Sequence, residues 1–235
     1  MRTEEQIRTD IVEIGRRLWA RGYVASNDGN ISVRLDHARL ITTPANVSKG
    51  FMTADMMVVT DFEGRKLSGD RKASSELKMH LQVYRDRPDA NAVVHAHPPT
   101  ATGFAVAGEG FTDCILPEVI FQVGWVPLVP YATPGTTELA DKFEPFILSH
   151  DAFLMANHGA TTAGPTLTIA HQRMESLEHT ARIVLAARLL GRVNSLSQAE
   201  VQALVASRDA AGIAGPYPGC LIPPGRAPQR SGGSS

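Results

Sequence analysis

Residues 92–99 read AVVHAHPP: an apolar run, two histidines separated by one residue, then two prolines. The run 92–97 has the apolar, β-branched content of a buried strand, and the prolines that follow cannot continue its ladder. Side chains alternate along a strand, so His95 and His97 fall on one face, about 6.6 Å apart by Cα. Imidazoles at that spacing converge on a single metal ion, with bonds of about 2.0–2.1 Å for zinc. Two half-exposed histidines at a strand end would give the same string, so the pair alone leaves both readings open.

Outward from this strand, short strands alternate with amphipathic helices. Thr3-Glu4-Glu5-Gln6 is a capping box, and Ile7, Ile11, Ile14 and Leu18 line one face of a helix over 4–21, stopped by Gly22. Strands are predicted at 31–35, 40–43, 57–60, 151–157 and, at an edge because of its prolines, 126–131. Helices are predicted at 75–86, 138–148, from Pro165 to Gly191, and at 197–209. The pattern is that of one α/β domain over residues 1–211, followed by a Pro/Gly-rich tail over 212–235.

Composition removes several classes of function. The chain has 235 residues with 43 % hydrophobic content, enough for a sizeable core, and 23 basic against 24 acidic residues. That balance carries no footprint of a nucleic-acid binder, and no apolar run approaches the ~20 residues needed to span a bilayer. The N-terminal MRTEEQIRTD lacks the apolar stretch of a signal peptide, and Cys114 and Cys220 read as free thiols. A cytoplasmic protein without membrane or nucleic-acid partners is expected.

A third ligand is sought at another strand end. His158 follows the apolar FLMAN, and Gly159 behind it permits a sharp turn, although a loop histidine bonded to backbone fits the same residues. His37, His150, His171 and His179 sit in polar or charged surroundings and read as solvated. Glu76, in Ala73-Ser74-Ser75-Glu76, falls in the first turn of a helix, where the dipole favours a carboxylate and where ordinary glutamates are also common. His80, one turn on, is either a partner behind the site or a surface residue.

Taken together, these stretches resemble the class II aldolase/adducin family, especially its fuculose-phosphate aldolase branch. The matching pieces are Gly29-Asn30-Ile31-Ser32, Thr43-Pro44, Ser74-Ser75-Glu76, His95-Ala96-His97-Pro98, Pro130-Tyr131-Ala132-Thr133-Pro134-Gly135 and Asn157-His158-Gly159-Ala160, in the family's order. The resemblance implies a central, largely antiparallel sheet flanked by helices, in a homotetramer with sites between subunits. It implies His95, His97 and His158 as ligands of a divalent ion, zinc first with manganese or cobalt as options. Glu76 becomes the acid/base, able to ligate the metal at rest.

Asn27, Gly29, Asn30, Ser74 and Ser75 match the positions that hold a substrate phosphate. Asn27 stands where a hydroxyl residue is usual, and Ala45-Asn46 replaces the usual hydroxyl residue and glycine. Lys49 is either a compensating charge or an exposed loop lysine. Glu118, among apolar neighbours, replaces a tyrosine that handles the proton on the aldehyde oxygen in a neighbouring subunit's site. The function so implied is cleavage of a ketose 1-phosphate to dihydroxyacetone phosphate and an aldehyde. The alternative is a decarboxylase or dehydratase of a sugar-acid or deoxysugar phosphate on the same scaffold.

Overall fold

The computed structural model describes residues 2–111 and 113–213. Helix α1 spans Glu4–Ala20 and opens with the expected reciprocal capping, in which Thr3 Oγ1 accepts from Gln6 N and Gln6 Oε1 accepts from Thr3 N. Such a cap is worth about 1 kcal/mol. The helix buries Ile7, Ile11, Ile14 and Leu18 and ends where Gly22 takes the left-handed φ of +70°. Strands β1 (Asn30–Arg34), β2 (Leu40–Thr42), β3 (Val58–Thr60) and β4 (Lys66–Ser68) form a meander, and α2 (Leu77–Asp86) leads into β5 (Ala92–Ala96). Then follow α3 (Pro99–Val106), α4 (Pro117–Gln122), β6 (Leu128–Val129), α5 (Thr137–Ile147), β7 (Ala152–Met155), β8 (Gly159–Gly164), α6 (Leu167–Leu189) and α7 (Gln198–Ala210).

The strands make an eight-stranded sheet in the order β4-β3-β2-β1-β5-β8-β7-β6, antiparallel except for the parallel β6–β7 pair at the edge. This is the largely antiparallel α/β architecture expected. Strand β5 lies near its middle, and its alternation sorts the layers. Ala92, Val94 and Ala96 pack with Ile11 and Leu18 of α1, Phe104 of α3 and Met174 and Leu177 of α6. Val93 faces the other way, toward Leu77 and Tyr84 of α2 and Leu139 and Phe143 of α5. His95, two residues on, shares the α2/α5 face with Val93.

Several elements depart from the expectation. The strand predicted over 126–131 shrinks to Leu128–Val129, since Pro127 and Pro130 remove ladder donors on either side. Strand β8, GATTAG, carries no apolar alternation yet is buried throughout. Its small side chains admit α6 closely, for a Cβ on Gly164 would lie 2.8 Å from Ala170 N. Helices α3 and α4 both begin on proline, whose fixed φ suits a first helical position.

Among the four histidines read as solvated, His37 and His179 are exposed, but His150 and His171 are buried. His150 Nδ1 donates to Phe146 O at 3.0 Å and its ring packs edge-on against Trp125, while His171 faces Glu175. Helical and tertiary partners, invisible in the flanking sequence, take the place of water. Cys114 is buried and disulfide-bonded, which corrects the free-thiol expectation at that position. Cys220 and the rest of the tail from residue 214 lie outside the described residues. No described helix is long and apolar enough to cross a membrane.

Candidate metal centre and adjoining pocket

His95 is held on both sides of the sheet's midline, opposite Asn30 of β1 and Thr161 of β8. Its Nδ1 lies 2.9 Å from Ala160 O, so Nδ1 carries the proton and donates, leaving the Nε2 lone pair facing the centre of the site. His97 Nε2 is 3.1 Å from His95 Nε2, and its Nδ1 stands 3.4 Å from Asp28 Oδ2. A carboxylate behind a histidine in this way fixes its tautomer and ring orientation. Asp28 was not singled out by sequence reading; it is an ordinary turn residue until the fold sets it beside His97.

His158 arrives from the turn between β7 and β8, after Asn157 in the left-handed region at φ +55°. Gly159 is required by close approach rather than by φ. A Cβ there would sit 2.5 Å from His97 Cδ2 and 2.7 Å from Ala96 O. The three rings lie 4.8, 4.9 and 5.1 Å apart by centroid, and one nitrogen of each falls within 4.8 Å of the others.

Glu76 occupies the cap position immediately before α2, not its first turn, and its side chain does not cap the helix. It turns toward the imidazoles instead, with Oε1 3.1 Å from His158 Nε2 and Oε2 3.4 Å from His95 Nε2. Burial alone would raise this carboxyl, but the facing His95 and His158 rings outweigh it and hold Glu76 well below the usual carboxylate range. Burial pushes His95 down to about 3 and His97 below its ordinary value, so both are neutral imidazoles near pH 7. Three imidazole nitrogens and one carboxylate are a donor set for a divalent cation. Glu76 Oε1 is buried with no aligned hydrogen-bond donor, which fits a cation at this point.

Beside the histidines opens a cavity of about 240 Å³, lined by Asn27, Gly29, Ser74 and Ser75 together with Ala45, Asn46, Lys49 and the edge of Glu76. Four of the five residues expected to hold a phosphate therefore line one space. Asn30 does not: its Nδ2 donates to Glu76 Oε2 at 2.9 Å. Gly29, at φ +71°, passes so close to β5 that a Cβ would come 2.7 Å from His95 O. Lys49 is not an exposed loop lysine; it is 2 % exposed. His80 is fully buried behind Glu76, with Nδ1 2.7 Å from Ser32 Oγ, and burial lowers it to about 4.

Glu118 is exposed on α4 and does not line this cavity. Within one chain the fold brings His95, His97, His158 and Glu76 together and leaves Glu118 apart.

Three clustered imidazoles with an ionised carboxylate, set at the end of an antiparallel sheet beside a small polar cavity, define an enzyme of the class II aldolase superfamily. The chain belongs to that family: residues 9–185 match the Class II Aldolase and Adducin N-terminal domain. It is 35 % identical over 186 residues to the 3-oxo-tetronate 4-phosphate decarboxylase of Pectobacterium atrosepticum, covering 77 % of this chain and 85 % of that one. It is 34 % identical over 175 residues to the L-fuculose phosphate aldolase of Methanococcus maripaludis, covering 74 % and 94 %. The crystal structure of YgbL from Escherichia coli superposes with a TM-score of 0.80 at 31 % identity, over 87 % of this chain and 100 % of that one. Enzymes of this superfamily depend in general on a divalent metal ion.

Proposed function

We propose that the chain is a divalent-metal lyase that decarboxylates a 3-oxo acid of the 3-oxo-tetronate 4-phosphate type to dihydroxyacetone phosphate. The observation that carries this is the pairing of ionised Glu76 with three imidazoles at the mouth of a polar cavity. His95, His97 and His158, with Glu76, would hold the ion, zinc first and manganese or cobalt as options. Bound there, a divalent ion supplies Lewis-acid polarisation of the substrate carbonyl, the sink needed when an adjacent carbon–carbon bond breaks.

The remaining work falls to the chain. Breaking the C1–C2 bond releases carbon dioxide and leaves the electron pair on C2, conjugated with the C3 carbonyl. One proton delivered to C2 completes dihydroxyacetone phosphate. Glu76 is the group placed to carry that proton, and Asn30 keeps its carboxylate turned inward. Asn27, Gly29, Ser74 and Ser75 receive the phosphoryl group.

The aldolase reading is the second one, supported by the Ser74-Ser75-Glu76 and Asn157-His158-Gly159 matches and by the aldolase relative. Cleavage of a ketose 1-phosphate leaves the same three-carbon fragment, with an aldehyde departing in place of carbon dioxide. The two differ at the leaving group. An aldehyde oxygen requires a proton shift, and carbon dioxide requires none. The 3-oxo-tetronate 4-phosphate decarboxylase relatives support the decarboxylase. Under the aldolase reading Glu118 reaches the site from a neighbouring subunit of a homotetramer.

The test is product analysis. Zinc-loaded protein is incubated with 3-oxo-tetronate 4-phosphate and, separately, with a panel of ketose 1-phosphates. Carbon dioxide and dihydroxyacetone phosphate in equal amounts are expected from the first. Aldehyde from a ketose 1-phosphate, with no carbon dioxide from the acid, would replace the first reading by the second.

A further inference from the structure

The cavity contains one positive side chain, and it is already in place. Lys49 opens the 3-10 turn Lys49–Phe51, which is clamped to α1 from beneath. A Cβ on Gly15 of α1 would lie 2.7 Å from Lys49 O, and Trp19 covers Gly50 so closely that a Cβ there would come within 2.5 Å of its ring. The backbone of the turn therefore has little freedom, and the Lys49 side chain runs inward. Its Nζ donates to Asn27 O at 2.9 Å and to Val47 O at 2.6 Å.

An ammonium has three N–H donors, and those two carbonyls use two. No carboxylate lies within ion-pair distance of Nζ among the described residues, although Asp28 and Glu76 line the same cavity. No other lysine or arginine lines it. Burying an ammonium against carbonyls alone is unfavourable, and an anion brought to the third donor relieves that cost. Burial lowers Lys49 to about 8, so the ammonium is still its main form at neutral pH.

We propose that Lys49 is the residue that makes the cavity selective for a dianionic phosphoryl group, holding it against Asn27, Ser74 and Ser75. This rests on the reading of the substrate as phosphorylated, and not on which bond is cleaved. It also accounts for how the cavity binds phosphate with Ala45-Asn46 in place of a hydroxyl residue and glycine: a charge takes over from neutral donors. A cationic partner strengthens a hydrogen bond to phosphate about twofold over a neutral one.

The contrasting role is a staple, in which Lys49 only ties the Asn27 loop to the Val47 loop. Lys49→Met keeps most of the side-chain volume and removes the charge; Lys49→Arg keeps the charge. Calorimetric titration with inorganic phosphate at pH 7 is run on wild type and both variants, in zinc-loaded and metal-free protein, with melting temperature and zinc content measured in parallel. Phosphate affinity is expected to fall at least tenfold in Lys49→Met in both metal states, with zinc content unchanged, and to recover in part in Lys49→Arg. Wild-type phosphate affinity in Lys49→Met overturns the proposal. Should Lys49→Met fail to fold, the ¹⁵N resonance of the Lys49 ammonium in wild type decides: a shift on adding phosphate supports the contact, and no shift overturns it. Phosphate binding is read without turnover, so failure of the decarboxylase reading leaves this result standing, and the reverse holds equally.

Discussion

Asn30 and His95 lie directly opposite each other across the β1–β5 pair, and both address one oxygen of Glu76. Asn30 Nδ2 donates to Oε2 at 2.9 Å, and His95 Nε2 stands 3.4 Å from the same atom. Strand pairing thus sets the angle at which the carboxylate meets the three imidazoles. The Asn30 amide is thereby engaged by the carboxylate, and Asn30 does not line the cavity.

Asn30→Ala should therefore lower kcat, by about tenfold for loss of one charge-assisted hydrogen bond, and leave KM nearly unchanged. A rise in KM at constant kcat would return Asn30 to phosphate binding. Glu76→Gln should keep most of the metal while turnover falls by about 10²- to 10⁴-fold, the usual worth of a general acid/base. Metal analysis alongside steady-state rates checks both variants.

Removing a ligand is expected to act differently from removing the base. His95→Ala, His97→Ala and His158→Ala should each lose bound zinc and turnover together. His95→Ala should be the most severe, because His95 is fully buried and tied to Ala160 O. Full metal content with full activity in any one of them shows that residue not to be a ligand.

His80 gives a stability signature separate from turnover. Burial holds it neutral, near 4, against an unfolded value near 6.5. The unfolded chain then binds the extra proton first, so stability is fully present above about pH 6.5 and declines as pH falls toward 4. The loss across that window is about 3 kcal/mol. Urea unfolding at intervals between pH 7 and 4.5 measures the slope, and His80→Gln should flatten it. An equal slope in the variant would assign the acid sensitivity to other groups.

Glu118 acts across a subunit boundary or not at all, since it is exposed on α4 and remote from its own chain's cavity. If it handles a proton in a neighbouring site, Glu118→Gln slows cleavage by about 10²-fold with metal content intact. Mixed oligomers of Glu118→Gln and Glu76→Gln subunits should then regain activity, because some sites combine two intact parts. Sedimentation of a fully active monomer would exclude that role together with the tetramer.

Much of this was legible where local chemistry and final environment agree. The Thr3 cap and the Ile7–Leu18 stripe define α1, and the His-x-His alternation places two imidazoles on one face before any fold is known. Strand β8 was not legible, because Gly159, Ala160, Thr161, Thr162, Ala163 and Gly164 show no contrast between faces. They are extended because β5 and β7 flank them and α6 needs small residues beneath it. The burial of Lys49 could not be read from the sequence for a related reason. Its neighbours in sequence are loop residues, while Gly15 and Trp19 of α1, which pack against its turn at Lys49 O and Gly50, come from far upstream. The proposed role of Glu118 calls on a second chain, which one chain's pattern does not contain.

The close approach at Gly159 has a consequence for which substitutions this end of the sheet can absorb. The three imidazoles gather where the end of β5 meets the β7–β8 turn, and the spacing there admits no side chain at 159 and none at Gly29, so substitution at either position would displace backbone beside the histidines. The cavity wall is built differently, from turns around Ala45-Asn46, Ser74-Ser75 and Pro134, the first two joined by the single Pro44–Ala73 bridge rather than by a strand pair. The imidazole cluster and the cavity wall are therefore under different packing constraints: a changed side chain in the turns alters the cavity without moving the strand that carries His95.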